Sequence, residues 1–208
     1  MSPRMAWRAI QSALPKNAII SSDIGNNCAI GNAYPSFDEG RKYLAPGLFG
    51  PCGYGLPSIV GAKIGQPLVP VVGFAGDGAF GIAVNELTAI GRDEWPAVTQ
   101  IVFRNYQWGA EKRNSTLWFD DNFVGTELDT KVSYAGIAQA CGLLGVQVQT
   151  MDQLTAVLNQ AIKDQMENNK TTVIEVILNQ ELGEPFRRDA MKKPVQVAGV
   201  TAADMAAE

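Results

Sequence analysis

Short runs of apolar and β-branched residues alternate along the chain with longer stretches whose apolar positions recur every three or four residues. The first rhythm marks strands buried on both faces, and the second marks amphipathic helices. Read in order, the pattern predicts a helix over 4–14, a strand over 18–22, a helix over 25–34 opened by Asp23 and the Asn26-Asn27 pair, and a short strand over 41–44. A Gly/Pro-rich loop, 45–53, leads to a helix over 56–64, a strand over 68–75, a helix over 79–90 and a strand over 98–103. No element is assigned between 104 and 132. A helix over 133–141, a strand over 145–149, a long helix over 151–167 and a β-branched strand over 171–178 complete the pattern. Strands alternating with helices in this way imply an α/β fold, a doubly wound, mostly parallel sheet with helices on both faces. With 208 residues the chain can bury one sizeable core, expected over 1–183. Residues 184–208 read as a C-terminal tail whose Ala-rich end frays.

Two polar interruptions carry chemistry. Gly76-Asp77-Gly78 directly follows the 68–75 run, and Asn105 follows the 98–103 run. Both therefore fall at the carboxyl ends of adjacent expected strands, where open α/β sheets bind their ligands. A glycine-rich helix start invites a phosphate, because its free N–H groups and the helix dipole both favour an anion. A carboxylate in the same turn would repel a diphosphate unless a divalent cation lay between them. Asp, Asn, backbone carbonyls and phosphate oxygens form an oxygen-only ligand set, which suits Mg²⁺. The turn thus reads as a magnesium-diphosphate site. Gly76-Asp77-Gly78-Ala79-Phe80-Gly81 also satisfies the G-x-G-x-x-G dinucleotide pattern. That pattern belongs to the first strand of its sheet and wants an acidic residue about 20 positions on. Here an earlier strand precedes it, and Arg104-Asn105 ends the next one.

Composition narrows the field. The net charge is −4 with no basic block, so neither nucleic acid nor an anionic membrane is an expected partner. No apolar run approaches the ~20 residues of a membrane span, and the first 14 residues lack a signal-peptide core. Three scattered cysteines, Cys28, Cys52 and Cys141, make neither a disulfide framework nor a zinc site, and a reducing cytoplasm is expected. There is no histidine. That removes Ser-His-Asp hydrolysis, His-ligated zinc and imidazole acid-base work. If the chain is enzymatic, an organic cofactor must carry the proton chemistry.

With these pieces placed, the chain resembles the diphosphate-binding domain of thiamine diphosphate enzymes, whose motif is G-D-G followed one strand later by Asn-Asn. Asn105 matches the second Asn, and Arg104 replaces the first. The replacement leaves the expected metal ligand in place and is expected to change the charge beside the cofactor. The resemblance is closest to the sulfoacetaldehyde acetyltransferase family and covers nearly the whole chain. It rests on Ser22-Asp23-Ile24-Gly25-Asn26, Gly50-Pro51-Cys52-Gly53-Tyr54, Gly76-Asp77-Gly78-Ala79, Gln107-Trp108-Gly109-Ala110-Glu111-Lys112, Gly125-Thr126-Glu127-Leu128-Asp129 and Pro185-Phe186-Arg187-Arg188-Asp189-Ala190. That family uses thiamine diphosphate and Mg²⁺ to convert sulfoacetaldehyde and phosphate into acetyl phosphate and sulfite.

The resemblance implies roles position by position. Asp77, Asn105 and the backbone carbonyl of Gln107 match the magnesium ligands. Gly78 and Ala79 offer N–H groups to the diphosphate, and Asn26 and Asn27 reach its far end. Gly25, Gly76, Trp108, Gly109 and Ala110 fall in the same cofactor-binding stretches. Gly50 and Cys52 match residues whose backbone pairs with the aminopyrimidine, and Cys52 stands where an apolar residue props the bent cofactor. A reactive thiol is the competing reading of Cys52. Glu111 matches a glutamate that faces the thiazolium as an acid or base. Its plainer alternative is a helix-start carboxylate paired with Ser115 or Arg113. Lys112, Arg113, Arg187 and Arg188 are candidates for the sulfonate or the phosphate, against simple surface solvation. Trp7, Trp95, Trp108 and Trp118 read as core or interface anchors, with Trp108 also placed to wall the site.

The family's complete enzyme is longer and carries a pyrimidine-binding domain that supplies the activating glutamate. Nothing in this chain matches that domain. The resemblance therefore implies a partner domain or subunit in a homo- or hetero-oligomer, an apolar cofactor face, and little activity from this chain alone. Two alternatives remain open at this point. One is the diphosphate-binding subunit of a sulfopyruvate or related 2-oxoacid decarboxylase, and the other is a non-catalytic thiamine diphosphate-binding subunit.

Overall fold

A computed structural model describes residues 1–180. Strands β1 (Ile19–Ser22), β2 (Tyr43–Leu44), β3 (Val71–Gly76), β4 (Thr99–Arg104), β5 (Leu144–Val148) and β6 (Thr172–Ile177) form one sheet in the order β2-β1-β3-β4-β6-β5. Every strand pair is parallel. Alternation of side chains across β3 explains the two-sided core. Val72 and Phe74 face helices α1 (Pro3–Ala13) and α8 (Met151–Glu167), meeting Trp7, Ile10, Leu154 and Leu158. Val71 and Ala75 face the opposite layer, packing with Leu56 and Ile59 of α3 (Gly55–Gly65), Phe80 of α4 (Asp77–Ala83) and Ala138 of α7 (Tyr134–Ala140). The doubly wound architecture expected from the sequence is therefore present. Each fully buried Phe or Ile in these layers contributes about 1.5–3 kcal/mol of apolar burial.

Local chemistry sets the element ends. Ser2 caps α1 by accepting from the Met5 amide, with Pro3 in the first turn. Thr150 caps α8 by accepting from the Gln153 amide, and this helix covers the expected 151–167. The 68–75 strand expectation begins too early, because Pro70 has no N–H to offer a ladder and β3 starts at Val71. The 79–90 helix is three pieces: α4, a 3-10 turn over Val84–Glu86, and α5 (Leu87–Ile90). The helix expected over 25–34 shortens to α2 (Asn26–Gly31), where the Trp7 ring packs so closely that a Cβ on Gly31 would lie 2.2 Å from it. An additional helix, α6 (Gly109–Trp118), occupies part of the stretch that periodicity leaves unassigned. Among the described residues no helix is long and apolar enough to cross a membrane.

The strand order reverses between β1 and β3, since the next strand lies outward of β1 in one case and of β3 in the other. Such a switch point opens a crevice at the carboxyl ends of the two strands.

Candidate functional site

A pocket of about 170 Å³ lies in that crevice. Its lining comes from the ends of β1 (Ile24, Gly25, Asn26) and β3 (Gly76, Asp77, Gly78, Ala79), the loop after β2 (Gly50, Cys52), and the stretch after β4 (Asn105, Gln107, Trp108, Gly109, Ala110, Glu111). The structure thus brings together the expected cofactor-binding and metal residues. Asn27 lies in α2, with its side chain outside the described ones. Ile24 also lines the pocket, although no chemical signal in the sequence singles it out. Gly25 (φ 125°) and Gly50 (φ 57°) take backbone conformations that suit glycine, so both rims of the pocket depend on that residue type.

Asp77 begins α4 and is 1% exposed. Its Oδ1 accepts from the Gly78 amide at 3.0 Å, and its Oδ2 accepts from the Tyr106 amide at 2.7 Å and Arg104 Nη1 at 3.2 Å. Burial pushes this carboxyl up, opposed by the Tyr106 amide and the Arg104 charge. Tyr106 itself sits at φ 62°, a costly conformation for a non-glycine, and that turn aims its amide at Asp77. The loop is pinned from the far side as well: Trp108 N donates to Thr126 O at 2.7 Å, and Leu128 N to Tyr106 O at 2.9 Å.

Arg104 corrects an expectation. Its side chain does not line the pocket but is buried behind Asp77, ion-paired with Asp77 and with Glu175 of β6. Its charge acts on Asp77 from the protein interior rather than from the pocket wall. Spacing along the chain could not reveal this, because Glu175 is remote in sequence and adjacent only through the β4–β6 pairing.

The other wall depends on Asp23, also 1% exposed. It does not cap α2 as expected. Oδ1 accepts from the Ile24 amide at 2.9 Å and the Gly53 amide at 3.1 Å, and Oδ2 from the Gly55 amide at 2.7 Å. It thereby clamps the loop that carries Gly50 and Cys52 onto the end of β1. Cys52 is exposed, and its thiol is pushed up by partial burial and then by the charges of Asp23 and Glu111. A raised thiol disfavours thiolate.

Glu111 projects from the first turn of α6 into the pocket lining and is exposed. Ser115 Oγ donates to the Glu111 backbone carbonyl at 3.1 Å, not to its carboxylate. Lys112 pairs with Glu127 and lies over the Phe123 ring, outside the pocket lining, as does Arg113. Arg187, Arg188 and the tail lie outside the described residues. Of the tryptophans, Trp7 is core, Trp118 is 58% exposed, and Trp108 packs against the turn so tightly that a Cβ on Gly78 would meet its ring at 2.6 Å.

Three observations test whether a magnesium-diphosphate group suits these residues. Asn105 is 4% exposed, and its side chain has no hydrogen-bond partner among the described residues. A Cβ on Gly109 would fill a cradle of amide nitrogens, with Asn26 Nδ2 at 3.3 Å, Asn105 Nδ2 at 3.5 Å and Gln107 Nε2 at 3.8 Å. Gly76 precedes α4 without a side-chain cap, so the first-turn amides other than that of Gly78, which donates to Asp77 Oδ1, are left for a ligand. Among the described residues no three His, Cys, Asp or Glu side chains converge, so a cation here would draw on amide or carbonyl oxygens, water or an anion as well. The residues fit. At about 170 Å³ the pocket is smaller than the ~300 Å³ or more typical of a site that encloses a whole ligand. Leu48 and Phe49 stand almost fully exposed on the adjoining loop, and Ile24 and Ile82 are 39% and 56% exposed.

Comparison with known proteins accords with this geometry. The family model for the C-terminal TPP binding domain of thiamine pyrophosphate enzymes matches residues 23–176. The chain is 82% identical over 205 residues to sulfoacetaldehyde acetyltransferase of Roseovarius nubinhibens, covering 99% of this chain and 34% of that protein. It is 77% identical over 205 residues to sulfoacetaldehyde acetyltransferase of Rhodobacter capsulatus, with 99% and 35% covered. The chain therefore spans about a third of the length of these curated relatives. In fold it is similar to benzoylformate decarboxylase from Polynucleobacter necessarius, with a TM-score of 0.76 and 21% identity over 88% of this chain and 34% of that one.

Proposed function

The chain belongs to the C-terminal TPP binding domain family of thiamine pyrophosphate enzymes, and from that premise we propose that it is the diphosphate-binding portion of a sulfoacetaldehyde acetyltransferase. The reaction is sulfoacetaldehyde plus phosphate to acetyl phosphate plus sulfite, and it requires a pyrimidine-binding domain from elsewhere. Residues 1–183 form the diphosphate-binding unit in this reading, and 184–208 a tail. The observation that carries it is the meeting of the Asp77 carboxylate and the unpartnered Asn105 amide beside the uncapped start of α4. The 82% identity to a named sulfoacetaldehyde acetyltransferase supports the choice of reaction over a decarboxylase.

Asp77, Asn105 and the Gln107 carbonyl would hold Mg²⁺, while the Gly78 and Ala79 amides and the Asn26 side chain would hold the diphosphate. When bound, thiamine diphosphate supplies the carbon nucleophile and electron sink that this chain's own side chains lack. The chain contributes orientation and exclusion of water. Trp108, packed on Gly78, closes one side of the diphosphate turn. Gly50 and Cys52, on the loop that Asp23 holds through the Gly53 and Gly55 amides, line the opposite rim and would face the aminopyrimidine. Glu111 can take or give a proton at its exposed carboxylate facing the pocket. Leu48, Phe49, Ile24 and Ile82 suit burial beneath a second domain, which would complete the enclosure.

The direct test mixes this chain with the pyrimidine-binding portion of a relative, thiamine diphosphate, Mg²⁺, sulfoacetaldehyde and phosphate, and follows sulfite. Release that needs both proteins is expected. Release of CO₂ from sulfopyruvate without sulfite production would replace the acetyltransferase reading with the decarboxylase one. Failure of any assembly to retain Mg²⁺ and thiamine diphosphate would leave only a non-catalytic fold.

A further inference from the structure

The arginine before Asn105 has an unusual setting for a residue at the end of a central strand. Arg104 is 1% exposed, and its guanidinium sits between Asp77 and Glu175. Nη1 donates to Asp77 Oδ2 at 3.2 Å, while Nη2 donates to the carbonyls of Asp129 and Val132 at 2.5 and 3.1 Å. Nε lies 3.6 Å from Glu175 Oε1, an ion pair without a direct hydrogen bond. The guanidinium carbon is 4.4 Å from the Tyr106 ring centroid and 5.1 Å from that of Tyr134, whose hydroxyl donates to the Asp77 carbonyl. A buried cation persists only when surrounded in this manner. A planar fork can reach a carboxylate and two carbonyls at once, whereas an ammonium on a flexible stem cannot hold that arrangement.

The consequence falls on Asp77. Two donors, Arg104 and the Tyr106 amide, engage Oδ2, whereas among the described residues Oδ1 accepts only from the Gly78 amide. The carboxylate is thus fixed in rotation with one oxygen less engaged than the other. Resting on the magnesium-diphosphate reading of the pocket, we propose that Arg104 is a positioning residue for the metal. It grips Asp77 through Oδ2, leaves Oδ1 for the cation, and ties that carboxylate to the 129–132 segment. Glu175 holds the opposite side of the same guanidinium while its Oε2 accepts from Ser133 Oγ and the Ala135 amide, well behind the pocket lining. The two partners of one arginine therefore separate a positioning role from a structural one.

The test titrates the full chain and its variants with Mg²⁺ and inorganic pyrophosphate by calorimetry, and measures melting temperature without ligand. Arg104→Lys keeps the charge and loses the fork. It is expected to weaken Mg-pyrophosphate binding by about 10–100-fold, the range for groups that orient a metal ligand. Glu175→Gln is expected to lower the melting temperature at least as much while leaving binding within about threefold, below the range of a lost metal-orienting contact. Arg104→Gln is the second variant, with a neutral planar donor, and is expected to bind more weakly than the wild type. Wild-type affinity in both Arg104 variants overturns the proposal. So does a loss of affinity that tracks the loss of melting temperature across all three variants. A folded wild-type chain that does not bind Mg-pyrophosphate sinks the pocket reading itself, and this proposal with it.

Discussion

Asp23 and Asp77 directly follow neighbouring strands, are equally exposed at 1%, and have carboxyls pushed up from 3.8 by burial. They nonetheless do opposite things. Asp23 gives its oxygens to the backbone amides of Ile24, Gly53 and Gly55 and closes a loop. Asp77 is held from behind by Arg104 and faces the pocket that Asp23 only supports. Burial and residue type are the same at both positions. What differs is where the donors stand, and that decides whether a carboxylate is a clamp or a ligand.

Four substitutions or titrations would break or sharpen the contrast. The largest effect is expected from Asp77→Ala, which should weaken Mg-pyrophosphate binding by about 100-fold or more, beyond the loss from an orienting group; calorimetry reads it directly. Asp23→Ala should instead act on the fold, with an unfolding free energy lower by about 1–3 kcal/mol as buried amides lose their acceptor. Urea denaturation measures that, and an unchanged midpoint would deny the clamp. A smaller effect concerns pH. Because the folded Asp23 carboxyl is raised above its unfolded value of 3.8, the native state holds its proton more tightly. The stability it contributes is complete below 3.8 and is lost as pH rises through the raised folded value. Asp23→Asn should flatten the fall in unfolding free energy as pH rises from about 4 to 7, the window above the ordinary carboxyl value; a steeper fall would reverse the sign of the argument. The smallest change is at Cys52, whose thiol is raised partly by Asp23 and Glu111. Iodoacetamide should modify it more slowly than free cysteine, and Glu111→Gln should speed the reaction slightly.

The same contrast shows what a single sequence can disclose. The Gly76-Asp77-Gly78 turn and Asn105 were legible because a polar break at the end of an apolar run is a local signal, and the crevice follows from strand alternation. Helix α8 is legible to the residue because its apolar period is also local, and in the structure the Thr150 cap fixes its start. Asp23 reads as a helix opener because its partners, Gly53 and Gly55, lie across the intervening β2 loop, out of reach of any local signal. Arg104 is visible as a departure from the motif, but its side of the sheet edge is not, because its second carboxylate comes from β6. Helix α6 lacks a buried stripe, and no apolar period announces it.

Sheet order has a further consequence during synthesis. β6 is made last among the described strands yet lies between β4 and β5. Until residues 172–177 emerge, one edge of β4 has no permanent neighbour and β5 has no strand to join. Glu175 arrives with that segment, so Arg104 must wait for its second countercharge. An unpaired strand edge beside a cation with only one of its two countercharges is the kind of exposed intermediate on which chaperones act. A ribosome stalled before β6 should hold a nascent chain far more open to protease than one stalled just beyond it.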